Sequence, residues 1–169
     1  MMSGLPGSGK STVAHQLVEA VGSNAQIIAT DIVRKELFTT PTYQDEENTQ
    51  VHHEVQRRLI AQLHQGKTVI YDATNLRVQF RAWVEVAQAT TGCKLLIIET
   101  TADEDTIKQR LIARQQQGNS ASDADYSIYL LLKESAEPIE RPHLTIRTDT
   151  HHAQDLRDAI RVINLIATQ

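Results

Sequence analysis

Short apolar runs alternate with longer amphipathic stretches along the whole chain. Strand-like patterning occurs at four places, which are Ala25–Thr30, Lys67–Asp72, Lys94–Thr100 and His143–Arg147. Helical spacing of the apolar positions covers about Lys10–Val21, Asp31–Phe38, Asp45–Gln65, Arg77–Thr91, Asp103–Gln116, Ser122–Ser135 and His152–Ala167. This alternation predicts an α/β fold in which a parallel sheet lies between two layers of helices.

Capping residues support several of these boundaries. Asp103 stands directly before one helical pattern, and Ser122 and Asp123 stand before another, as side-chain caps of helix N-termini do. Glycines follow four of the predicted helices, where a C-terminal cap is expected: Gly22, Gly66, Gly92 and Gly118. We therefore expect these helices to begin and end close to the residues given above.

Composition and charge narrow the class of protein. The 169 residues, 40% hydrophobic and 22% charged, fit one globular domain spanning residues 1–169. Seventeen Lys and Arg against 21 Asp and Glu give a net charge of -4 without a basic arm, which argues against sequence-independent coating of nucleic acid. The single Cys93 cannot form an internal disulfide, and no apolar stretch approaches the roughly 18 residues of a bilayer span. With no secretion-signal pattern at the start, these features predict a cytoplasmic protein without a membrane partner.

A glycine-rich loop precedes the first predicted helix. Residues 4–12 fit the pattern of a glycine, four residues and then Gly-Lys-Ser/Thr. Glycines let successive amide N–H groups converge on phosphate oxygens at a helix N-terminus, so the loop is predicted to bind ATP. Lys10 would neutralise the β- and γ-phosphates and Ser11 would hold Mg²⁺. The predicted nucleotide contacts are Gly4, Pro6, Gly7, Ser8, Gly9, Lys10, Ser11 and Thr12. The alternative is a flexible glycine loop capped by Ser11.

The strand that should lead into this loop is abbreviated. Only Met1, Met2 and Ser3 precede Gly4, so the first, central strand is either two or three residues long or belongs in part to a longer chain. A shortened central strand loses ladder hydrogen bonds and core contacts. We expect the domain to be less stable than one with a complete first strand.

Two carboxylates follow predicted strands, at the sheet edge where ligands bind in such folds. Asp31 follows the first strand-like run and could accept the proton of a hydroxyl that attacks the γ-phosphate, or could simply cap the next helix. Arg34, one turn further on, could clamp the acceptor or the transferring phosphoryl group. Asp72 ends the second run and could bind Mg²⁺ through water or position the acceptor, with helix capping as its alternative role.

Two arginines and a polar break predict a helical lid over about residues 110–135. Arg110 and Arg114 are four residues apart and project from one helix face, where they could close over the nucleotide and stabilise the transferred phosphoryl group. The break at Gln115–Ser120 would let such a lid move. The alternative is an ordinary solvated helix face. Residues Arg147–Thr150, after the last predicted strand, are candidates for contacts with adenine.

Four segments together resemble one group of enzymes: the loop 4–12, Thr30–Leu37, Tyr71–Leu76 and Arg110–Arg114. Over nearly its whole length the chain resembles the P-loop kinase group that includes phage polynucleotide kinase, zeta-toxin-like kinases and many bacterial ATP-binding (AAA-type) kinase domains. The resemblance implies that Asp31 is the general base, Arg34 and Asp72 hold the acceptor, and Arg114 engages the phosphates. We expect a three-layer P-loop NTPase fold with five parallel strands in the order 2-3-1-4-5. Residues Arg110–Asp149 also resemble a domain at the C-terminus of larger bacterial proteins.

The predicted function is ATP-dependent transfer of the γ-phosphoryl group to a hydroxyl of a small molecule or of a nucleic-acid end. A 5′-hydroxyl polynucleotide kinase is an alternative, although its groove should be basic and the charge balance is even. A second alternative is a nucleotide-binding regulatory module that transfers no phosphoryl group. Such a module is expected to lack a catalytic carboxylate, whereas both Asp31 and Asp72 are present. A third alternative is simple NTP hydrolysis, with a partner supplying the acceptor site. The acceptor pocket is expected around Thr39–Asn48, which identifies no particular acceptor.

Overall fold

The structure is a computed structural model that describes residues 1–118 and 121–167. Within them the strands are β1 (Met2–Ser3), β2 (Ala25–Ala29), β3 (Thr68–Asp72), β4 (Ile98–Thr101) and β5 (Leu144–Arg147). The helices are α1 (Lys10–Val21), α2 (Thr30–Leu37), α3 (Asp45–His64), α4 (Val78–Thr91), α5 (Glu104–Gln117), α6 (Tyr126–Glu134) and α7 (Ala153–Ala167). None of these helices is long and apolar enough to cross a membrane.

The sheet is hydrogen-bonded as two parallel blocks. One block is the pair β2–β3 and the other is β1–β4–β5, with every recorded pairing parallel. Several hydrogen bonds join them beside β1, among them one from Gly4 N–H to Thr74 O at 3.0 Å and one from Asn75 Nδ2 to Met2 O at 2.7 Å. These bonds place β1 next to the end of β3. The α/β class with a parallel sheet is confirmed, and the two blocks side by side fit the predicted strand order 2-3-1-4-5.

Helices cover both faces of the sheet. Consecutive strand residues point to opposite faces, so each strand contributes apolar side chains to both cores. Met1, Tyr71 and Ile97 join the core beneath α3 and α4, whereas their neighbours Met2, Ile70 and Ile98 join the core beneath α1 and α7. The first core is Met1, Ile28, Val33, Val51, Val55, Leu59, Tyr71, Val84, Ala87 and Ile97. The second is Met2, Val13, Ala14, Leu17, Ile70, Ile98, Ile146, Ala159 and Ile163. The phosphate-binding loop therefore leaves β1 at the centre of a three-layer molecule.

Strand β4 is shorter than the sequence predicts. The sequence predicts a strand over Lys94–Thr100, whereas β4 begins at Ile98, where its pairings with β1 and β5 both begin. A cavity of about 350 Å³ lies at the amino ends of β3 and β4, with Met1, Val69 and Leu95 among its walls. Burial lowers the pKa of the Met1 ammonium to about 5, and this nitrogen donates to Leu96 O at 2.8 Å. The lower stability expected from a short central strand stays a prediction.

The helix starts agree with the sequence prediction to within one residue, except that of α6. Helix α2 begins at Thr30, so Asp31 lies in its first turn rather than before it. Helix α6 begins at Tyr126, and Asp125 caps it by accepting from Ile128 N at 3.0 Å. The predicted start at Ser122 is therefore wrong, because Asp125 is the residue at the N-cap position. The predicted cap Asp103 is confirmed, since it accepts from Thr106 N at 2.9 Å.

Met2→Ala is expected to lower the free energy of unfolding by about 2–5 kcal/mol, the usual cost of a cavity left by a large core side chain. The Met2 side chain is fully buried, with 0% exposed, in the core shared by α1 and α7. Urea unfolding followed by circular dichroism measures the change. Leu131→Ala, at a side chain that is 62% exposed, is the control and should leave stability nearly unchanged. Equal effects of the two changes would contradict the core position of Met2.

Candidate active site

The loop between β1 and α1 has the backbone of an anion-binding loop. Gly4, Gly7 and Gly9 have φ angles of +146°, +79° and +92°, which residues with a side chain rarely adopt. Helix α1 begins immediately after Gly9, so its first N–H groups and the positive end of its dipole lie at the loop. Lys10 is half-buried in the first turn, where Ser11 and Thr12 are exposed. This arrangement can bind phosphate groups.

Side chains from strand β4, from the loop after β5 and from helix α5 support the phosphate-binding loop. The buried Ser8 hydroxyl hydrogen-bonds with Thr100 Oγ1 at 2.7 Å, and Thr148 Oγ1 donates to Ser8 O at 2.8 Å. Arg110 donates to Gly7 O at 3.2 Å and to Thr148 Oγ1 at 2.8 Å. Arg110 and Ser8, both predicted as nucleotide contacts, are therefore also the supports that fix the shape of the loop.

Thr148, which sequence reasoning named only as part of Arg147–Thr150, contacts the phosphate-binding loop. An added Cβ at Gly9 would come within 2.9 Å of the Thr148 side chain, so the chain after β5 packs directly against the loop. Nearby, Asp149 pairs with Arg147 at 2.9 Å, and this ion pair holds the pKa of Asp149 well below its usual range. No local pattern distinguishes Thr148 from other loop threonines, because its role depends on the pairing of β5 with β4.

Four of the predicted site residues share one electrostatic environment. Burial lowers the pKa of Lys10 to about 8, while Asp72 and Asp31 raise it and Arg114 lowers it further. The Lys10 ammonium donates to Leu5 O at 3.0 Å. The structure thus brings together Lys10, Asp31, Asp72 and Arg114, which come from α1, α2, β3 and α5.

The two carboxylates differ in their surroundings. Burial raises the pKa of Asp31, against the opposing effects of a hydrogen bond from Ser122 and the charge of Lys10. Asp72 ends β3 with 8% of its surface exposed, and among the described residues its carboxylate has no recorded hydrogen-bond donor. A carboxylate of raised pKa can accept a proton, and a carboxylate with open lone pairs can hold a metal-bound water.

The residues present fit a magnesium ion held mainly by its nucleotide. Ser11 supplies a hydroxyl oxygen and Asp72 a carboxylate oxygen, the ligand types that Mg²⁺ prefers alongside phosphates and water. Across the described ranges 1–118 and 121–167, no three or more His, Cys, Asp and Glu side chains form a cluster that could hold a metal ion. Phosphate oxygens and water would therefore have to complete the coordination.

Arg34 lies within a buried network between α2 and the start of α3. Its guanidinium forms an ion pair with Glu47, donates to Asn48 Oδ1 at 2.8 Å and lies 4.6 Å from the centre of the Tyr43 ring. Glu47 also accepts from Thr42 N at 2.6 Å. Arg34 therefore fixes the chain before α3, within the stretch predicted as the acceptor pocket. Sequence reasoning missed Glu47, whose only signal is its place among three acidic residues in the first turn of α3.

The lid predicted over about 110–135 contains the second part of α5 and all of α6, and its residues 119 and 120 lie outside the described residues. Arg114 donates to Ala124 O. Asp123 accepts from Lys35 Nζ at 2.9 Å and from Tyr43 Oη at 2.5 Å. In the segment between α5 and α6, Asp123 is thus bonded to α2 and to the chain before α3, and Ala124 is bonded to α5.

This geometry defines a class of protein. A parallel sheet, a glycine loop at the carboxyl end of its central strand and a lysine at the start of the next helix are the P-loop kinase fold, a nucleotide-binding fold. The chain belongs to the AAA_33 family of P-loop kinase domains, since the family model, described as an AAA domain, matches residues 1–139.

Known proteins show the same fold. An uncharacterized protein of Mycobacterium tuberculosis, Rv2004c, is 30% identical over 147 residues, which covers 80% of this chain. The chain spans 29% of that relative's length. A sugar kinase from Janibacter matches with a TM-score of 0.70 and 14% identity, covering 99% of this chain and 94% of the other. The Mycobacterium tuberculosis APS kinase CysC in complex with AMPPNP and APS matches with a TM-score of 0.68 and 18% identity, covering 96% and 95%.

The affinity for ATP is expected to fall as the pH rises above about 8, because Lys10 in the free protein loses its proton with a pKa of about 8. Bound phosphates favour the ammonium form, so binding above that pH takes up a proton and weakens by up to about tenfold per pH unit. Calorimetric titration with ATP between pH 7 and about 10 measures this slope. Lys10→Arg, which keeps its charge, should bind with little pH dependence. A flat wild-type profile would contradict the lowered pKa.

Proposed function

We propose that the chain is an ATP-dependent kinase that transfers the γ-phosphoryl group to a hydroxyl group of a small molecule or of a nucleic-acid end. The observation that carries the proposal is the position of the Asp31 carboxylate, whose pKa responds to both Lys10 and Asp72. A phosphate-binding loop accounts for nucleotide binding, whereas a partly buried base beside the loop lysine serves a reaction at the γ-phosphate, and the labelled-ATP test below separates transfer to a hydroxyl from hydrolysis.

Each residue of the site has a role in this reaction. Asp31 takes the proton of the acceptor hydroxyl as the acceptor oxygen forms its bond to the γ-phosphorus and the bond to ADP breaks. Lys10 neutralises charge on the β- and γ-phosphates, and Arg114 does so after leaving Ala124 O. Mg²⁺, when bound through Ser11 and Asp72, supplies further neutralisation of the phosphates. Asp72 and the Arg34 network hold the acceptor and its pocket.

The acceptor class is open within this proposal. The sugar kinase and APS kinase with the same fold act on different compounds, as their names state, so the fold alone selects none. The net charge of -4 gives no support to a strongly basic nucleic-acid groove. We therefore propose a hydroxyl of a neutral or weakly charged small molecule as the first candidate acceptor, and a 5′-hydroxyl nucleic-acid end as the second.

Transfer from γ-labelled ATP with Mg²⁺ to a panel of sugars, nucleosides, aminoglycosides and 5′-hydroxyl oligonucleotides tests the proposal. We expect label in one acceptor class, with ADP formed in equal amount. ADP and inorganic phosphate without a labelled acceptor would indicate hydrolysis instead. Tight ATP binding without any turnover would indicate a regulatory module and would overturn the proposed function.

A further inference from the structure

The guanidinium of Arg34, which shares a face of α2 with the candidate base Asp31, is occupied by the protein itself. Its Nη1 is paired with Glu47, its Nη2 donates to Asn48 Oδ1 at 2.8 Å, and its central carbon lies 4.6 Å from the centre of the Tyr43 ring. Its Nε is buried, so a ligand in the site has no access to that donor. The fork of N–H groups with which an arginine binds a phosphate, sulfate or carboxylate is therefore not open to an acceptor.

Glu47 is held in this pairing by the chain that precedes α3. Its carboxylate also accepts from Thr42 N at 2.6 Å and from Thr42 Oγ1 at 2.8 Å, and only 6% of the residue is exposed. Although burial acts in the opposite direction, these hydrogen bonds and the one from Arg34 lower the pKa of Glu47 to about 2. The carboxylate is therefore ionised at neutral pH, and the Arg34–Glu47 pair carries no net charge.

The other cation of α2 is matched in the same way. Lys35 Nζ donates to Asp123 at 2.9 Å, and Asp123 also accepts from Tyr43 Oη at 2.5 Å. Both positive charges of α2 are thus matched by a carboxylate from another part of the chain. An acceptor that approaches Asp31 along this helix meets a surface without an uncompensated positive charge.

We propose that Glu47 determines which acceptors the site takes: by neutralising Arg34, it selects hydroxyl compounds that carry no phosphate, sulfate or carboxylate group. This inference rests on the proposed kinase function and narrows its acceptor class. An anionic acceptor placed beside a neutral ion pair and the Asp31 carboxylate loses water without gaining a counter-charge, which disfavours its binding. Glu47→Gln leaves the charge of Arg34 unmatched, so this single change should shift the preference toward anionic acceptors.

Matched acceptors that differ only in charge test the inference. The pairs are a nucleoside and its 3′-monophosphate, which both have a free 5′-hydroxyl, and a sugar and its 1-phosphate. The values of kcat/KM are compared within the pair from the class that the acceptor panel labels. In the wild type we expect the neutral member to be preferred by about tenfold or more, and in Glu47→Gln we expect this ratio to fall by about tenfold or more.

Two further variants of α3 separate the ion pair from the overall charge. Glu46 lies exposed beside Glu47 in the first turn of α3. Glu46→Gln therefore removes the same formal charge without freeing Arg34, and it should keep the wild-type ratio. Glu47→Asp keeps the carboxylate and should retain most of the wild-type preference.

A binding measurement tests the same inference without catalysis. Protein saturated with AMPPNP and Mg²⁺, so that the phosphate-binding loop is filled, is titrated with sulfate at constant ionic strength while thermal unfolding is followed. Glu47→Gln should show a saturable rise in Tm, because sulfate binds the freed Arg34. The wild type and Glu46→Gln should show no such rise.

The outcomes distinguish this inference from the proposed function. A wild type that prefers the anionic acceptor, or that labels 5′-hydroxyl oligonucleotides best, overturns the role of Glu47 and leaves the kinase function standing. Equal ratios in Glu47→Gln and Glu46→Gln also overturn that role, as does equal sulfate binding by the wild type and Glu47→Gln. If no acceptor is labelled and sulfate binds only to Glu47→Gln, the kinase function is overturned and the neutralisation of Arg34 by Glu47 is supported.

Discussion

Gly4→Ala is expected to abolish measurable ATP binding and to lower the free energy of unfolding by about 2–6 kcal/mol. An added Cβ would lie 2.5 Å from Thr100 O and 2.7 Å from Ser8 Oγ, and the φ of +146° would be strained in alanine. Relief of the contact has to move the backbone that ties β1 to β4. Calorimetric titration with ATP and urea unfolding measure the two effects.

Gly22→Ala is the matched control for this change. Gly22 also has a positive φ, of +90°, but none of the described atoms lies within 4 Å of an added Cβ. We expect a loss of about 1–2 kcal/mol from backbone strain alone and an unchanged affinity for ATP. If both variants bound ATP equally well, the close packing of Gly4 would not be what shapes the loop.

Asp31→Asn is expected to lower kcat for transfer by about 10²–10⁴-fold while ATP still binds, because it removes the proposed base without changing the size of the side chain. The wild-type rate should rise with pH until the carboxyl is ionised. Since burial raises the pKa of Asp31, this rise should be centred at a higher pH than for an exposed aspartate. Initial rates across pH with the acceptor found in the panel measure both effects.

Asp105→Asn is the control for the loss of a carboxylate. Asp105 lies exposed in the first turn of α5, away from the residues of the site, so this variant should keep the wild-type rate and pH profile. A similar rate in Asp31→Asn and Asp105→Asn would show that Asp31 is not the base. Loss of ATP binding in Asp31→Asn would indicate a structural role for that carboxylate instead.

The features predictable from sequence are those with local causes. The glycine spacing of residues 4–12 requires a loop of particular backbone geometry, and the glycines have the expected positive φ angles. The alternation of strands and helices restricts the order of a parallel sheet, so the order 2-3-1-4-5 could be stated beforehand. Asp31 and Asp72 could be placed at one edge because both follow strands.

The features that sequence reasoning missed depend on contacts between distant residues. Glu47 pairs with Arg34 only because the chain between α2 and α3 folds back, and nothing local marks that pairing. Thr148 supports Ser8 across 140 positions of sequence. The start of β4 coincides with the first paired residues of β1 and β5, which the apolar residues of β4 itself do not indicate. Such contacts follow from the assembled fold and not from patterns within one segment.

The division of the sheet into two blocks has a consequence for how the molecule responds to its ligand. The line along which the β-ladder is interrupted runs beside Gly4, whose N–H reaches across to Thr74. The part of the sheet with the fewest backbone hydrogen bonds therefore lies next to the phosphate-binding loop. A nucleotide held by the loop reinforces the molecule where its own backbone bonding is sparsest. Nucleotide binding and resistance to local opening of the sheet are therefore coupled. The protein without nucleotide is the form in which the boundary between the two blocks is most exposed to proteases and to hydrogen exchange.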